Sequence, residues 1–241
     1  GAVDGYLGQF ADYEGLTVTA LEVIAGADRS VVADTGEIVG FTDRDAVAAG
    51  LERLRAIAPA RDPQTGAAGV PALDEASAVR AFRAGAAVFM RNWPVAYRSL
   101  DRPLEGGQRV PFGVAPLPGD VGVLGGQNLA IAADTKRHRA AQALIEFLTS
   151  DHSQQILFER GGLPATRAVV YLDEDIRERY PYVATLERAL RRATVRPAHP
   201  HYARFSEAFR AVVNDVLRGD QPVPEDLEDR FTAARLGKIT S

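Results

Sequence analysis

Tryptophan occurs once, at Trp93, inside the run Phe89-Met90-Arg91-Asn92-Trp93-Pro94. Ala86 to Met90 reads as a short buried strand leading into it, and Pro94 follows, so the indole sits at a strand end or loop. There an aromatic face can stack on the C–H face of a sugar while neighbouring polar groups bond its hydroxyls. Burial in the core is the competing role for a lone tryptophan.

Four glycines fall between Gly119 and Gly126. The run lacks the Gly-Lys-Ser/Thr ending of a phosphate loop, and it opens no helix behind a strong parallel strand as a dinucleotide fingerprint does. Two readings remain: a turn with left-handed positions, or Gly125-Gly126 baring backbone amides where a ligand comes close. Of the histidines, His199 and His201 flank Pro200 with no acidic ligand nearby in sequence, so a solvated loop explains them better than a metal site. No Gly-x-Ser-x-Gly elbow occurs. Carboxylates cluster at Asp12/Glu14 and Asp173-Glu174-Asp175. Both read as acids at helix N-termini, where the positive end of the helix favours them. A glycosidase needs two carboxyls facing each other across a bond, and spacing alone marks no such pair.

Several amphipathic helices position these residues. Thr42 caps a helix that carries Val47, Leu51, Leu54 and Ile57, and Pro59 and Pro63 end it. A second helix spans 74–84 with Val79 and Phe82 inward and Gly85 as its stop. Ala140, Ala141, Leu144, Ile145 and Leu148 share one face of a helix over 137–149, and a short helix over 151–160 stops at Gly161-Gly162. The strongest stripe is Phe205, Ala208, Phe209, Val212, Val213, Val216 and Leu217, closed by Gly219; a last helix covers 224–236. Strands are expected at 113–116 and 129–132, with weaker signals at Val31-Val32 and Ile38-Val39. Pro59 to Pro71 reads as a surface loop. The pattern is α/β and rich in helix.

The 241 residues carry 28 basic and 32 acidic side chains, a formal charge of −4, which argues against a nucleic-acid-coating surface. Only Lys136 and Lys238 are lysines; with abundant alanine, the arginine bias fits GC-rich coding rather than arginine-based recognition. The absence of cysteine removes disulfides, thiolate zinc sites and cysteine nucleophiles together. No apolar run reaches the roughly 18 residues that would span a bilayer.

Read in order, a series of segments resembles the extracellular solute-binding proteins of ABC sugar importers, the family that carries maltose and trehalose. They are Tyr13-Glu14-Gly15-Leu16, Ala81 to Pro94, Val114-Ala115-Pro116-Leu117-Pro118-Gly119, and Gly125-Gly126-Gln127-Asn128-Leu129-Ala130-Ile131. Ala140-Ala141 with Phe147-Leu148-Thr149-Ser150, Gly162 to Arg167, and Arg196-Pro197 with Pro200-x-Tyr202 complete the set. The resemblance implies a periplasmic-binding-protein-like (type II) fold with two α/β lobes. Residues 1–115 are mainly one lobe, 116–165 a segment returning to the other, and 166–241 a helical region packing back across both. It implies a receptor without catalysis or cofactor, which closes on a di- or oligosaccharide and presents it to membrane permease subunits.

Carried onto this chain, Trp93 is the stacking platform, Gly125 and Gly126 bring amides to the sugar, and Arg167 donates a fork of hydrogen bonds to hydroxyls. Tyr6, Gln9, Tyr13 and Glu14 belong to a second cleft-lining stretch. Where the family often has an aromatic just before the position of Gln9, this chain has Gly8, leaving Tyr6 or Phe10 to supply that contact. The match corresponds to the latter half of a family member. The expected partners therefore include a missing N-terminal portion or a second copy that completes the fold. The location implied is the cell envelope or exterior, with a lipid anchor on residues outside this chain. A carbohydrate-active hydrolase and a non-transport interaction module are the alternatives; turnover of chromogenic glycosides or a sugar panel without thermal shift would mark them.

Overall fold

A computed structural model describes residues 4–28, 43–58, 73–218 and 223–238. The chain divides into two compact units. Unit 1 comprises Gly1–Asn92, Pro116–Leu124 and Arg192–Ser241; unit 2 comprises Trp93–Ala115 and Gly125–Arg191. The polypeptide passes between them after Asn92, Ala115, Leu124 and Arg191.

Unit 1 begins with β1 (Asp4–Leu7), α1 (Glu14–Ala27), α2 (Arg44–Ile57), α3 (Glu75–Arg83) and β2 (Ala87–Met90). Caps set the helix starts. Asp43 accepts from the Ala46 amide at 3.0 Å. Asp74 and Ser77 form a reciprocal capping box: the Ser77 amide donates to Asp74 at 2.7 Å, and the Asp74 amide donates to the Ser77 hydroxyl at 2.9 Å. The expected cap of α2 thus moves one residue, to Asp43, because that carboxylate reaches the third amide of the helix. Thr42 itself lies outside the described residues, as do Val31-Val32, Ile38-Val39, Pro59 to Pro71 and Gly219. Gly85, with φ +75°, closes α3 in the left-handed conformation that glycine adopts at least cost. β1 and β2 then pair in parallel with Tyr6 opposite Phe89.

The unit 1 core forms around α1, whose residues Gly15 to Glu22, together with Ile24 and Ala25, are all buried. α2 lies against it so closely that a Cβ at Gly50 would stand 2.7 Å from the Ile24 Cα. On another side lies α10 (Tyr202–Arg218), where the Thr17 and Ser206 hydroxyls meet at 2.8 Å. α10 buries Phe205, Phe209, Val212, Val213 and Val216, and α11 (Leu227–Arg235) adds Leu227 and Phe231 to the same aromatic-rich layer. The segment 116–124 returns past the end of α1 through a turn at Gly119 (φ +80°) and Asp120 (φ 55°). It then forms a parallel bridge, Val123 with Thr194.

Unit 2 holds α4 (Ala96–Leu100), α5 (His138–Leu148) and α6 (Asp151–Ile156), the last running on into a wider turn over Leu157–Gly161. α7 (Ala168–Leu172), α8 (Glu174–Arg179) and α9 (Val183–Arg192, whose final residue belongs to unit 1) follow. Asp173 caps α8 by accepting from the Ile176 amide at 3.0 Å, the helix-opening role its sequence indicates. The core gathers Phe158, Val170, Tyr171, Ile176, Tyr182, Val183 and Leu186. Tyr97 stacks on Tyr182 with ring centres 4.0 Å apart. Residues 113–116 and 129–132, expected as strands, belong to no strand here. Their composition favours extended chain, but a strand needs a neighbour to bond, and the sheet among the described residues is the β1–β2 pair.

Candidate functional site

Trp93 is the first residue of unit 2 after the chain leaves β2. Its carbonyl accepts from the Ala96 amide at 2.9 Å, which turns the chain into α4, and its side chain is half-buried. Gly125 opens the other stretch of unit 2 and lies directly against the indole: a Cβ there would stand 2.7 Å from Cζ3 and 3.0 Å from Cη2 of Trp93. A glycine is therefore required by contact with the ring, not by its dihedral angles. Gly126 is exposed, with open space where its side chain would be. The fold thus brings together Trp93 and Gly125 from positions more than thirty residues apart.

Arg167 stands just before α7 with its side chain exposed. Its Nε donates to the Thr149 carbonyl at 2.7 Å and lies 3.6 Å from an Asp151 carboxylate oxygen. Those bonds hold the guanidinium by one edge.

In unit 1, Tyr6 and Phe10 meet edge to face at 6.5 Å. A Cβ at Gly8 would stand 2.9 Å from the Tyr6 ring and 3.0 Å from the Phe10 ring, so position 8 has no room for an aromatic side chain. Phe10 is buried, and Tyr6 is the more open of the two. Burial, with the Glu22 carboxylate second, raises the Tyr6 pKa and keeps the phenol protonated. Tyr13 precedes α1, and its ring folds back over Gly15. Burial and then the Glu75 carboxylate keep its hydroxyl protonated as well.

Glu14, the first residue of α1, has both carboxylate oxygens engaged within the chain. Oε1 accepts from Arg196 Nη1 at 2.7 Å and from the Tyr202 hydroxyl at 2.5 Å, while Oε2 accepts from the Ser206 hydroxyl at 2.6 Å. Arg210 Nη1 stands 4.0 Å from Oε2, and its Nε is 3.1 Å from Asp12. Burial pulls the Glu14 pKa upward, but the bonds from Ser206, Tyr202 and Arg196 outweigh it and leave the carboxyl below its ordinary value. The motif Arg196…Tyr202, far from Glu14 in sequence, closes this cluster.

Gln9 is completely buried. Its amide nitrogen donates to the Arg91 carbonyl at 3.1 Å and its oxygen accepts from Arg91 Nη1 at 2.9 Å. The same guanidinium forms a two-pronged bond to Glu22, 2.8 Å on each side, with Arg91 3% and Glu22 6% exposed. Glu22 also accepts from the Val123 amide at 3.2 Å. Arg91 lies two residues before Trp93, and Val123 two before Gly125, so one buried ion pair fixes the unit 1 ends of both stretches that deliver the indole and its glycine. Sequence reasoning missed this pair. The available signal was Glu22, the only charged residue within the apolar stretch Leu16 to Ala27.

His199 and His201 lie with ring centres 5.6 Å apart, the His201 amide donating to His199 Nδ1 at 3.2 Å. Among the described residues no group of three or more metal-ligating side chains converges, and no helix is long and apolar enough to cross a membrane.

Comparison with known proteins gives this arrangement its context. Residues 4–184 match the model of the family described as bacterial extracellular solute-binding protein. A probable ABC transporter-binding protein of Deinococcus radiodurans is 31% identical over 224 residues, covering 88% of this chain and 51% of the relative. The maltose-bound MalE3 of T. maritima superimposes with a TM-score of 0.74 at 27% identity, over 97% of this chain and 60% of that one. An ABC transporter solute-binding protein of Agrobacterium radiobacter, solved with ribitol, shares the fold at a TM-score of 0.71 and 19% identity, over 97% of this chain and 59% of that one. The chain thus spans about half to three fifths of the proteins it matches. The expected α/β solute-binding fold is the observed one, and the chain belongs to the bacterial extracellular solute-binding protein family.

Proposed function

We propose that this chain supplies part of the sugar seat of an ABC importer receptor, one that binds a di- or oligosaccharide and hands it to membrane permease subunits outside the cytoplasm. The observation that carries the reading is the half-buried indole of Trp93 with Gly125 against its ring and the exposed Gly126 next in the chain. An apolar plate edged by backbone amides suits a sugar, whose axial C–H groups want the plate and whose hydroxyls want the amides. In this reading Trp93 stacks on the guest, Gly125 and Gly126 donate from the backbone, and Arg167 uses the nitrogens not held by Thr149. From unit 1, Tyr6 offers a neutral phenol, whereas the Tyr13 hydroxyl is itself buried and that residue contributes only by packing over Gly15. Gln9 and Glu14 contribute through the partners they hold, Arg91 on one side and Arg196 with Tyr202 on the other.

The maltose in the T. maritima relative supports a sugar as the class of ligand. A receptor of this kind works without turnover: the sugar touches both lobes only in the closed state and shifts a pre-existing equilibrium by its difference in affinity. Moving that equilibrium from 1:99 to 99:1 takes about 5.5 kcal/mol. A stacked aromatic with several desolvated hydrogen bonds supplies energy of that order. A lipid anchor would keep such a receptor beside its permease.

The test is calorimetry with maltose and trehalose on this chain joined to the part of the fold it does not span, hereafter the complete receptor. Gly125→Val, which drives a side chain into the indole, is expected to lower affinity about tenfold or more, or at least about 1.4 kcal/mol. Unchanged affinity in that variant would contradict the seat. The 241 residues alone are expected to bind weakly or not at all, and tight binding by them would contradict the need for a complement.

A further inference from the structure

Unit 2 holds an open cavity of about 430 Å³, with Arg98, Ser99, Asp101, Arg102, Arg109 and Arg160 around it. All six belong to unit 2, so the cavity lies within one compact unit. α4 supplies Arg98 and Ser99, and the chain that leaves it supplies Asp101 and Arg102. A tight loop follows, in which the Leu104 amide donates to the Gln108 carbonyl at 2.7 Å. The loop brings Arg109 back to Asp101, where Nη1 donates to the carbonyl at 2.8 Å and to the carboxylate at 2.7 Å. The wide turn over Leu157–Gly161 contributes Arg160. Turns of this width are rare and recur at functional sites. Arg98 ties the two stretches together: Nη2 donates to the Glu159 carbonyl, and its stem packs where a side chain at Gly162 would stand.

The carboxylates beside these arginines are already engaged. Asp101 is held by Arg109, and the Glu159 carboxylate accepts from Gln155 at 2.9 Å and from Arg179 at 3.3 Å. Among the described residues, Arg109 bonds through Nη1 and Arg98 through Nη2, while the exposed Arg160 has neither a hydrogen-bonding nor an ionic partner. Arginine is frequent along this chain, so its number here decides nothing; its convergence does. Four guanidinium groups and one carboxylate border a single cavity in a chain whose formal charge is −4. Cations gathered in this way repel one another, and an anion among them relieves that repulsion. We propose that the cavity binds a phosphate ester, with the phosphate group held among Arg98, Arg102, Arg109 and Arg160. Guanidinium forks match phosphate oxygens in pairs, and forks arriving from different sides fit a tetrahedral group better than a planar carboxylate. The volume lies in the range of small-molecule sites and exceeds what a bare phosphate fills, so the guest carries an organic part. A soluble phosphate ester and a phospholipid headgroup share this chemistry. The site uses none of Trp93, Gly125, Gly126 and Arg167, and it stands whether or not the sugar seat does.

Glycerol 3-phosphate and, as its uncharged counterpart, glycerol would be titrated by calorimetry into the 241-residue chain. Flotation with vesicles of phosphatidylglycerol and of phosphatidylcholine tests the lipid source. Two variants accompany the wild type: Arg160→Gln, which removes an exposed cation that holds nothing in the fold, and Arg139→Gln, which removes an exposed arginine of α5 outside the cavity. Both variants should melt with the wild type. Glycerol 3-phosphate is expected to saturate a single site and glycerol to give no binding heat. Arg160→Gln should lower the affinity for the ester at least about tenfold, the loss of a hydrogen bond to a charged group, while Arg139→Gln leaves it unchanged. Ester binding without vesicle binding assigns a soluble guest; binding to phosphatidylglycerol vesicles that Arg160→Gln abolishes assigns a lipid headgroup. Equal losses in Arg160→Gln and Arg139→Gln would overturn the proposal, because diffuse surface charge would then explain the binding. Vesicle binding alone that Arg160→Gln does not alter would overturn it as well, and so would the absence of saturable binding by both the ester and the phosphatidylglycerol vesicles.

Discussion

α1 and α5 are helices of similar length with opposite relations between sequence and surroundings. α1 shows hardly any polar face, and ten of its residues are buried between α2, α10 and the returning 116–124 segment. α5 has a clear apolar stripe but buries none of its residues fully: Ala141, Ile145 and Leu148 are half-buried, and Leu144 and Phe147 are exposed. A stripe states that a partner is wanted; whether one is present depends on chain elsewhere. Unit 1 finds within these residues what its central helix needs, while unit 2 has a closed aromatic core beside a helix whose apolar face is only partly covered.

That contrast breaks most severely at the buried ion pair beneath α1. Glu22→Ala leaves the Arg91 guanidinium without its carboxylate in a site that water does not reach, and removing one partner of a buried pair costs about 3–5 kcal/mol. Urea denaturation should show that loss. It should also show partial recovery in Glu22→Met/Arg91→Met, where no charge is left stranded. A smaller effect belongs to Glu14, whose pKa is lowered in the folded chain by Ser206, Tyr202 and Arg196 against the upward pull of burial. A carboxyl lowered on folding contributes stability that is present above its unfolded pKa and is lost as pH falls through its folded one. The melting temperature of the wild type should therefore fall below about pH 4.5 more steeply than that of Glu14→Gln. The smallest effect lies on α5: Leu144→Ala and Phe147→Ala should each change the stability of the 241-residue chain by no more than about 0.5 kcal/mol. A loss of several kcal/mol there would show that the face is already covered.

Where an element advertised itself through periodicity or caps, the sequence was readable. The start of α3 at Asp74, the Gly85 stop, the α10 stripe and the strand before Trp93 all depend on neighbours a few residues away. The expected burial of that strand does not hold, since Val88 and Phe89 are exposed where the two-stranded sheet has nothing described over them. The start of α1 was readable from the acids Asp12 and Glu14, but its course to Ala27 was not, because a helix buried all round loses the alternation that marks one. The 129–132 segment was readable as strand and is not one, because pairing depends on a second strand that composition does not reveal. At the site, residue types suggested Trp93 and Gly125 separately, and only the fold shows that they touch. The Arg91–Glu22–Gln9 network was invisible for the same reason: its members are 69 and 82 residues apart, and each looks ordinary alone.

As the single tryptophan of this chain, Trp93 makes a direct measurement possible. Maltose or trehalose would be titrated into the complete receptor and into its Trp93→Ala variant by calorimetry, with thermal unfolding recorded for both. An indole that stacks on sugar predicts an affinity at least about tenfold lower in the variant, worth about 1.4 kcal/mol or more, at a nearly unchanged melting temperature. Retained affinity with a collapsed melting temperature would contradict the account and make Trp93 a core residue.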